Sequence, residues 1–264
     1  MLLRHAVIAL GMLACAGAAH ADVKMVSQMK GKMMGMNPSG ETVTYIKGNK
    51  MRTDQTQGRN QTSTIMDVDT GRMITLNHSR KEAEVWNMTE MSAALQQTGV
   101  SVEAADVKVT PTGNTKQVAG YTATEHQMDV SVDAGIPDAP IKMTLNISGP
   151  AWLSTEAPGV QDYARFYQAA FDKGFFFGDP RAAQAQPGNA RGMMKLYRDM
   201  AEKGIPLEST QTVKMSGSGP MAGILGRMGG GEMHTVVTSI STDTLDDSLF
   251  EVPSGYRVRE QKVK

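Results

Sequence analysis

Val43-Thr-Tyr-Ile-Lys-Gly-Asn-Lys-Met-Arg-Thr53 is followed by Thr64-Ile-Met-Asp-Val-Asp-Thr-Gly-Arg-Met-Ile-Thr-Leu76 and then by Asn77-His-Ser-Arg-Lys-Glu-Ala-Glu-Val-Trp86. Short runs rich in β-branched and apolar residues are broken by Gly48-Asn49, by Asp69-Thr70-Gly71 and by Asn77-His78-Ser79-Arg80. Glycine takes positive φ without steric cost, so Gly-Asn suits a two-residue hairpin turn. Connections this short force neighbouring strands to pair antiparallel.

The same reading extends outward. Ile141-Lys-Met-Thr-Leu-Asn-Ile-Ser148 alternates apolar and polar at every step, the mark of a strand with one face on a core and one in water. From Val23, residues Met25, Ser27, Met29, Gly31 and Met33 share one face, and Lys24, Gln28, Lys30 and Lys32 the other. Further strands are expected at 118–132, 207–216 and 233–242, with a short one over Ser248–Pro253 that Pro253 ends. Apolar spacings of three and four predict helices over 161–171 and 189–203, the latter stopped by Gly204 and Pro206, and a shorter one over 90–97. Pro180–Pro187 is expected to link the two longer helices. No repeat of solenoid or propeller length is present. The expected fold is mainly β (α+β): a single curved antiparallel sheet or half-barrel of many short strands. A helical excursion at about 159–204 covers its apolar face.

Residues 1–21 read as a secretory signal peptide. Arg4 and His5 form a basic start, Ala6–Ala14 an apolar stretch too short to span a membrane, and Ala19-His-Ala21 a small-x-small cleavage pattern. The expectation is a periplasmic chain of residues 22–264, one β-rich domain without a transmembrane segment. Met12-Leu-Ala-Cys15 loosely resembles a lipobox, so a lipid anchor on Cys15 is the competing reading. Cys15 is the single cysteine among 264 residues, which excludes a disulfide framework and leaves core burial to hold the fold. Lys and Arg total 27 against 27 Asp and Glu, a balance that argues against nucleic acid as a partner.

Catalytic motifs are missing. Ser216-Gly-Ser-Gly219 lacks the first glycine of a nucleophile elbow, and no zinc-protease, P-loop or dinucleotide fingerprint is present. His78, in a turn, reads as solvated, and His126, on the apolar parity of its strand, as a satisfied core residue. Asp67, Asp69, Asp246 and Asp247 read as local turn acids. No enzyme and no cofactor are expected.

The unusual feature is 21 methionines. Met25, Met29, Met33, Met34 and Met36, or Met228 and Met233 with His234, suggest a soft Cu(I) site. However, Met34 and Met36 fall on the opposite parity, and methionine also fills cores and adaptable apolar binding surfaces. A second oddity is Ser216–Gly231, glycine-rich yet carrying Met221, Ile224, Leu225 and Met228. It reads either as a lid over an apolar cavity or as a short helical turn folded back onto the core.

Thr44–Arg52, Ser63–Asp69 and Arg72–Leu76 carry a G-x-K-x-R hairpin, an I-x-D strand and a basic return strand. Ser248-Leu-Phe-Glu-Val-Pro-Ser-Gly-Tyr256 closes the chain. This pattern, over residues 23–90 and more weakly in the tail, resembles an exported bacterial family defined only as a domain of unknown function. The resemblance implies a curved sheet akin to lipoprotein carriers of the LolA/LolB type, which shelter acyl chains, and brings no catalytic residues.

The expected function is therefore non-enzymatic binding of a lipid, acyl chain or exposed hydrophobic segment in an apolar concavity. The partner would be a hydrophobic small molecule or a lipoprotein or envelope protein. Met25, Met29, Met33, Ile141, Met143, Leu145 and Ile147 are the expected lining, with Met221, Ile224, Leu225 and Met228 as lid. The alternatives are a structural or interaction module with a self-filled core and a methionine-rich Cu(I) binder.

Overall fold

The computed structural model describes residues 21–33, 37–98, 105–133, 143–217 and 230–263. Hairpin follows hairpin from the start: β1 (Val23–Met33), β2 (Ser39–Lys47), β3 (Lys50–Gln57), β4 (Asn60–Asp67), β5 (Arg72–Asn77) and β6 (Glu82–Asn87) form one antiparallel meander. Gly48 takes a φ of 56° at the β2–β3 turn, as its sequence demands. Helix α1 (Met88–Gln97) comes next, its first turn capped by the Asn87 side chain, which accepts from the amides of Thr89 and Glu90.

A second meander holds β7 (Asp106–Val118), β8 (Tyr121–Asp133), β9 (Met143–Ser154), β10 (Ile205–Gly217) and β11 (Gly231–Ser241). Helices α2 (Val160–Asp172), α3 (Pro180–Ala185) and α4 (Pro187–Ala201) intervene between β9 and β10. The two meanders join where β1 pairs with β11, and β12 (Arg257–Glu260) adds in parallel to β6. The result is one open, curved sheet of twelve strands among the described residues, ordered β12-β6-β5-β4-β3-β2-β1-β11-β10-β9-β8-β7. Register shifts at Val26/Ser27, Pro206/Glu208 and Pro111/Thr115 supply bulges that bend such a sheet. Gly149, at φ 141°, lets β9 run close to β10, where a Cβ would collide with the Thr210 carbonyl.

The helices lie on the concave face. Tyr163, Phe166, Tyr167 and Ala170 of α2, with Phe175 and Phe176 after it, are buried against the centre of the sheet. Leu196 and Met200 of α4 cover Val107, Met128, Val130, Val132 and Ile147 at the β7–β9 wing. The helices expected over 90–97, 161–171 and 189–203 are thus present, and the excursion lies over the face expected.

The convex face of β2–β6 carries a separate apolar cluster, Ile65, Ile74, Leu76, Ala83 and Val85, covered by Leu245, Leu249, Phe250, Val252 and Tyr256 of the C-terminal strap. Lys47 donates to the Leu245 carbonyl at 2.7 Å and Arg52 to the Leu249 carbonyl at 2.9 Å, while Asp22 accepts from the Leu245 amide.

Three expectations change. Ser248–Pro253 is no strand: residues Asp247–Phe250 form a 3₁₀ turn whose Ser248 amide is held by the Asp246 carboxylate, and the β6 edge pairs instead with Arg257–Glu260. Pro180–Pro187 is no simple linker, because Asp179 caps a helix that starts with Pro180 and continues through good helix formers. His78 is not merely solvated. Its Nε2 lies 2.6 Å from Ser63 Oγ and its Nδ1 2.6 Å from the Tyr256 hydroxyl.

Candidate functional site: a concavity with a methionine floor and a threonine wall

Cross-strand register builds the site. On the concave face, partners across five strand pairs form the row Val23, Ile46, Met51, Met66, Met73 and Trp86. Every member is buried. Two residues along each strand comes the next row on the same face: Met25, Thr44, Thr53, Thr64, Thr75 and Glu84. Beyond it lie Ser27, Thr42, Gln55, Thr62, Asn77 and Glu82. The face therefore changes from apolar to hydroxyl-bearing within one pleat.

A cavity of about 820 Å³ opens over this change, within the size range of small-molecule sites. Met51, Met66 and Met73 form its floor with Tyr167, Phe177 and Tyr197 from the helical layer, and the threonines with Gln55 and Asn77 form its wall. The rings pack on one another, Tyr167 4.9 Å from Phe177 and 5.8 Å from Tyr197 between centroids, and the Tyr167 hydroxyl meets Met51 Sδ at 3.9 Å. Burial pushes the phenols of Tyr163, Tyr167 and Tyr197 up, so all three stay neutral at physiological pH.

Charge is confined to the rim and mostly paired. Arg181 donates to Glu84 at 2.9 Å and lies over the Trp86 ring, Asp179 caps α3, and Glu82 pairs with Arg257. That hydrogen bond from Arg257 holds the Glu82 carboxyl below its usual range. Arg80 completes the charged lining.

The threonine hydroxyls are free. Among the described residues, no hydrogen bond is made by the side chains of Thr42, Thr44, Thr53, Gln55, Thr62, Thr64 or Thr75. Thr44 is only 9% exposed yet belongs to the cavity lining.

The expected lining residues are dispersed. Met25 and Met29 lie half-buried on the concave face of β1, Met25 at the end of the threonine row, and neither borders the cavity. Ile147 and Leu145 sit at the far wing, packed in the cluster that α4 closes. Met33 and Met143 end and begin their strands. Ile141, the lid residues Met221, Ile224, Leu225 and Met228, and Ala19 lie outside the described residues, as do Met34 and Met36. Ala21 is described, and its amide donates to Asp162. The threonine wall and the row of Met51, Met66 and Met73 were not singled out in sequence. The signal was available: the Gly48-Asn49 turn fixes Ile46 opposite Met51, and so Thr44 opposite Thr53 on the same side.

Two polar clusters lie elsewhere. On the convex side, Ser63 Oγ donates to Asp54 at 2.5 Å and accepts from His78 Nε2–H, while His78 Nδ1 is hydrogen-bonded to the Tyr256 hydroxyl. Ser63 is 1% exposed and its proton is committed to a carboxylate, so the pair acts as a clasp for the C-terminal strap, not as nucleophile and base. Lys116 and His234 both contact Glu208, at 2.7 and 3.2 Å, with Lys116 over the Trp152 ring. Among the described residues, no group of three or more His, Cys, Asp or Glu is arranged to hold a metal, and no helix is long and apolar enough to cross a membrane.

No curated protein matches the sequence. Among solved structures, PNGF-II aligns over 91% of this chain with 10% identity and a TM-score of 0.38; the chain spans only 31% of its length. A LolA superfamily protein from Nitrosomonas europaea aligns over 88% of this chain and 91% of its own, at 7% identity and TM-score 0.30. A DUF1329 family protein from Desulfovibrio piger aligns over 89% and 91%, at 11% identity and TM-score 0.28. Residues 25–136, which include the whole threonine wall, match the domain of unknown function DUF4412.

Proposed function

We propose that this protein is a periplasmic, non-enzymatic carrier that holds an amphipathic, lipid-like molecule in the concavity over β2–β5. The single observation behind this reading is the cavity of about 820 Å³, bounded on one side by methionine and aromatic side chains and on the other by threonines. A self-filled interaction module would have closed that space. An acyl chain laid against Met51, Tyr167, Phe177 and Tyr197 gains about 0.8 kcal/mol for each CH₂ removed from water. Methionine adapts its shape to such a chain at little cost. A free lipid and the acyl group of a lipoprotein present the same methylenes to this surface.

Native mass spectrometry of protein purified from periplasm, with lipid extraction of the same sample, tests the proposal. A one-to-one lipid adduct is expected, together with saturable uptake of a fluorescent fatty acid. An empty protein that takes up no fatty acid contradicts it.

A further inference from the structure

The wall has more to say than the floor. Neighbouring strands lie about 4.8 Å apart and same-face residues about 6.8 Å apart along a strand, so Thr42, Thr44, Thr53, Thr62, Thr64 and Thr75 present a lattice of hydroxyls at those spacings. A face meant only for methylenes would carry valine, which has the same shape and equal strand preference, at these positions. Thr44 is nine-tenths buried as a residue, yet it lines the cavity, and its hydroxyl has no partner within the protein. Each threonine can both donate and accept, as can Gln55, which suits a partner that does both.

The charges exclude other heads. A phosphate or carboxylate calls for cations or converging N–H donors. The lining cations are Arg80 and Arg181, both at the rim, and Arg181 is already paired with Glu84. Glu82, Glu84 and Asp179 stand beside them, so the mouth offers no net positive field.

Resting on the carrier reading above, we infer that the bound molecule has an uncharged, polyhydroxylated head group, a sugar or glycerol, read by the threonine lattice of β2–β5. The chain lies on the methionine floor and the head along the wall.

Calorimetric titration with four twelve-carbon probes below their micelle concentrations tests this: dodecyl glucoside, monolauroylglycerol, laurate and dodecylphosphocholine. One of the first two should bind at least tenfold more tightly than laurate and dodecylphosphocholine, and which one does so separates sugar from glycerol. The isosteric pair Thr53→Val/Thr64→Val should weaken the preferred probe at least tenfold and change laurate less than threefold. Thr53→Ser/Thr64→Ser should restore the preference and serves as the test should the valine pair fail to fold. Equal binding of all four probes, tighter laurate or dodecylphosphocholine binding, or a valine pair that leaves the glucoside and glycerol affinities unchanged would overturn the inference and leave the carrier intact. Binding of none of the four would overturn both.

Discussion

At the β7–β9 wing, Val107, Met128, Val130 and Val132 meet Leu196 and Met200 of α4 and leave a closed core. At the β2–β5 wing, the same concave face of the same sheet meets the helical layer only along the row of Met51, Met66 and Met73, and stays open over the threonines beyond. The strands of both wings alternate with the same period, so the pleat alone does not account for the contrast. The difference lies in which residues occupy the inward positions, and whether a helix with matching side chains reaches them. Apolar rows draw a helix down onto the sheet. Hydroxyl-bearing rows do not, since covering them without partners costs more than it returns.

The contrast can be broken most readily at the closed wing. Leu196→Ala removes a fully buried side chain between α4 and the sheet and should cost about 2–5 kcal/mol in denaturant unfolding. A loss below about 1 kcal/mol would mean that this wing is as loosely filled as the other. Gly192 allows α4 its close approach, because a Cβ there would collide with Val132. Gly192→Ala should therefore destabilise by about 1–3 kcal/mol in the same assay, despite alanine's better helix propensity.

Smaller effects sharpen the picture at the open wing. Tyr256→Phe leaves His78 Nδ1 without its partner on the convex side and should cost about 0.5–1.5 kcal/mol, with faster amide exchange confined to the strap. Thr64→Val should change unfolding free energy by no more than about 0.5 kcal/mol, since its hydroxyl holds nothing in the folded chain and valine keeps its shape. A large loss there would show the threonine wall to be part of the packed fold.

Much of this fold was legible because turns and alternation are local. Gly48-Asn49 and Asp69-Thr70-Gly71 mark their hairpins directly, and the helical spacing of Tyr163, Phe166, Tyr167 and Ala170 places α2 on the core. Strand β7 was less visible: it is an edge strand with a mostly exposed pattern and Pro111 within it, tolerated because an edge can spare an amide. The β3–β4 hairpin at Gly58-Arg59 joins two strands whose distal halves are polar, so hydropathy hid it.

The site was harder to see because it is a property of register, not of any one strand. Met25, Met29 and Met33 stand out along the chain. Met51, Met66 and Met73 come from three strands and meet only when their hairpins are aligned. Threonine, common in any strand, draws no notice until four of them stand side by side across β2–β5 on the face that holds the core.

Filling the hollow tests the central claim most directly. Thr64→Trp places a large side chain in the middle of the wall, where space is available. Titration of a fluorescent acyl probe into wild type and variant, with thermal melts to confirm that both are folded, should give one-to-one binding to wild type and at least a tenfold loss in the variant. Equal binding by the two proteins, or none by wild type, would contradict the account.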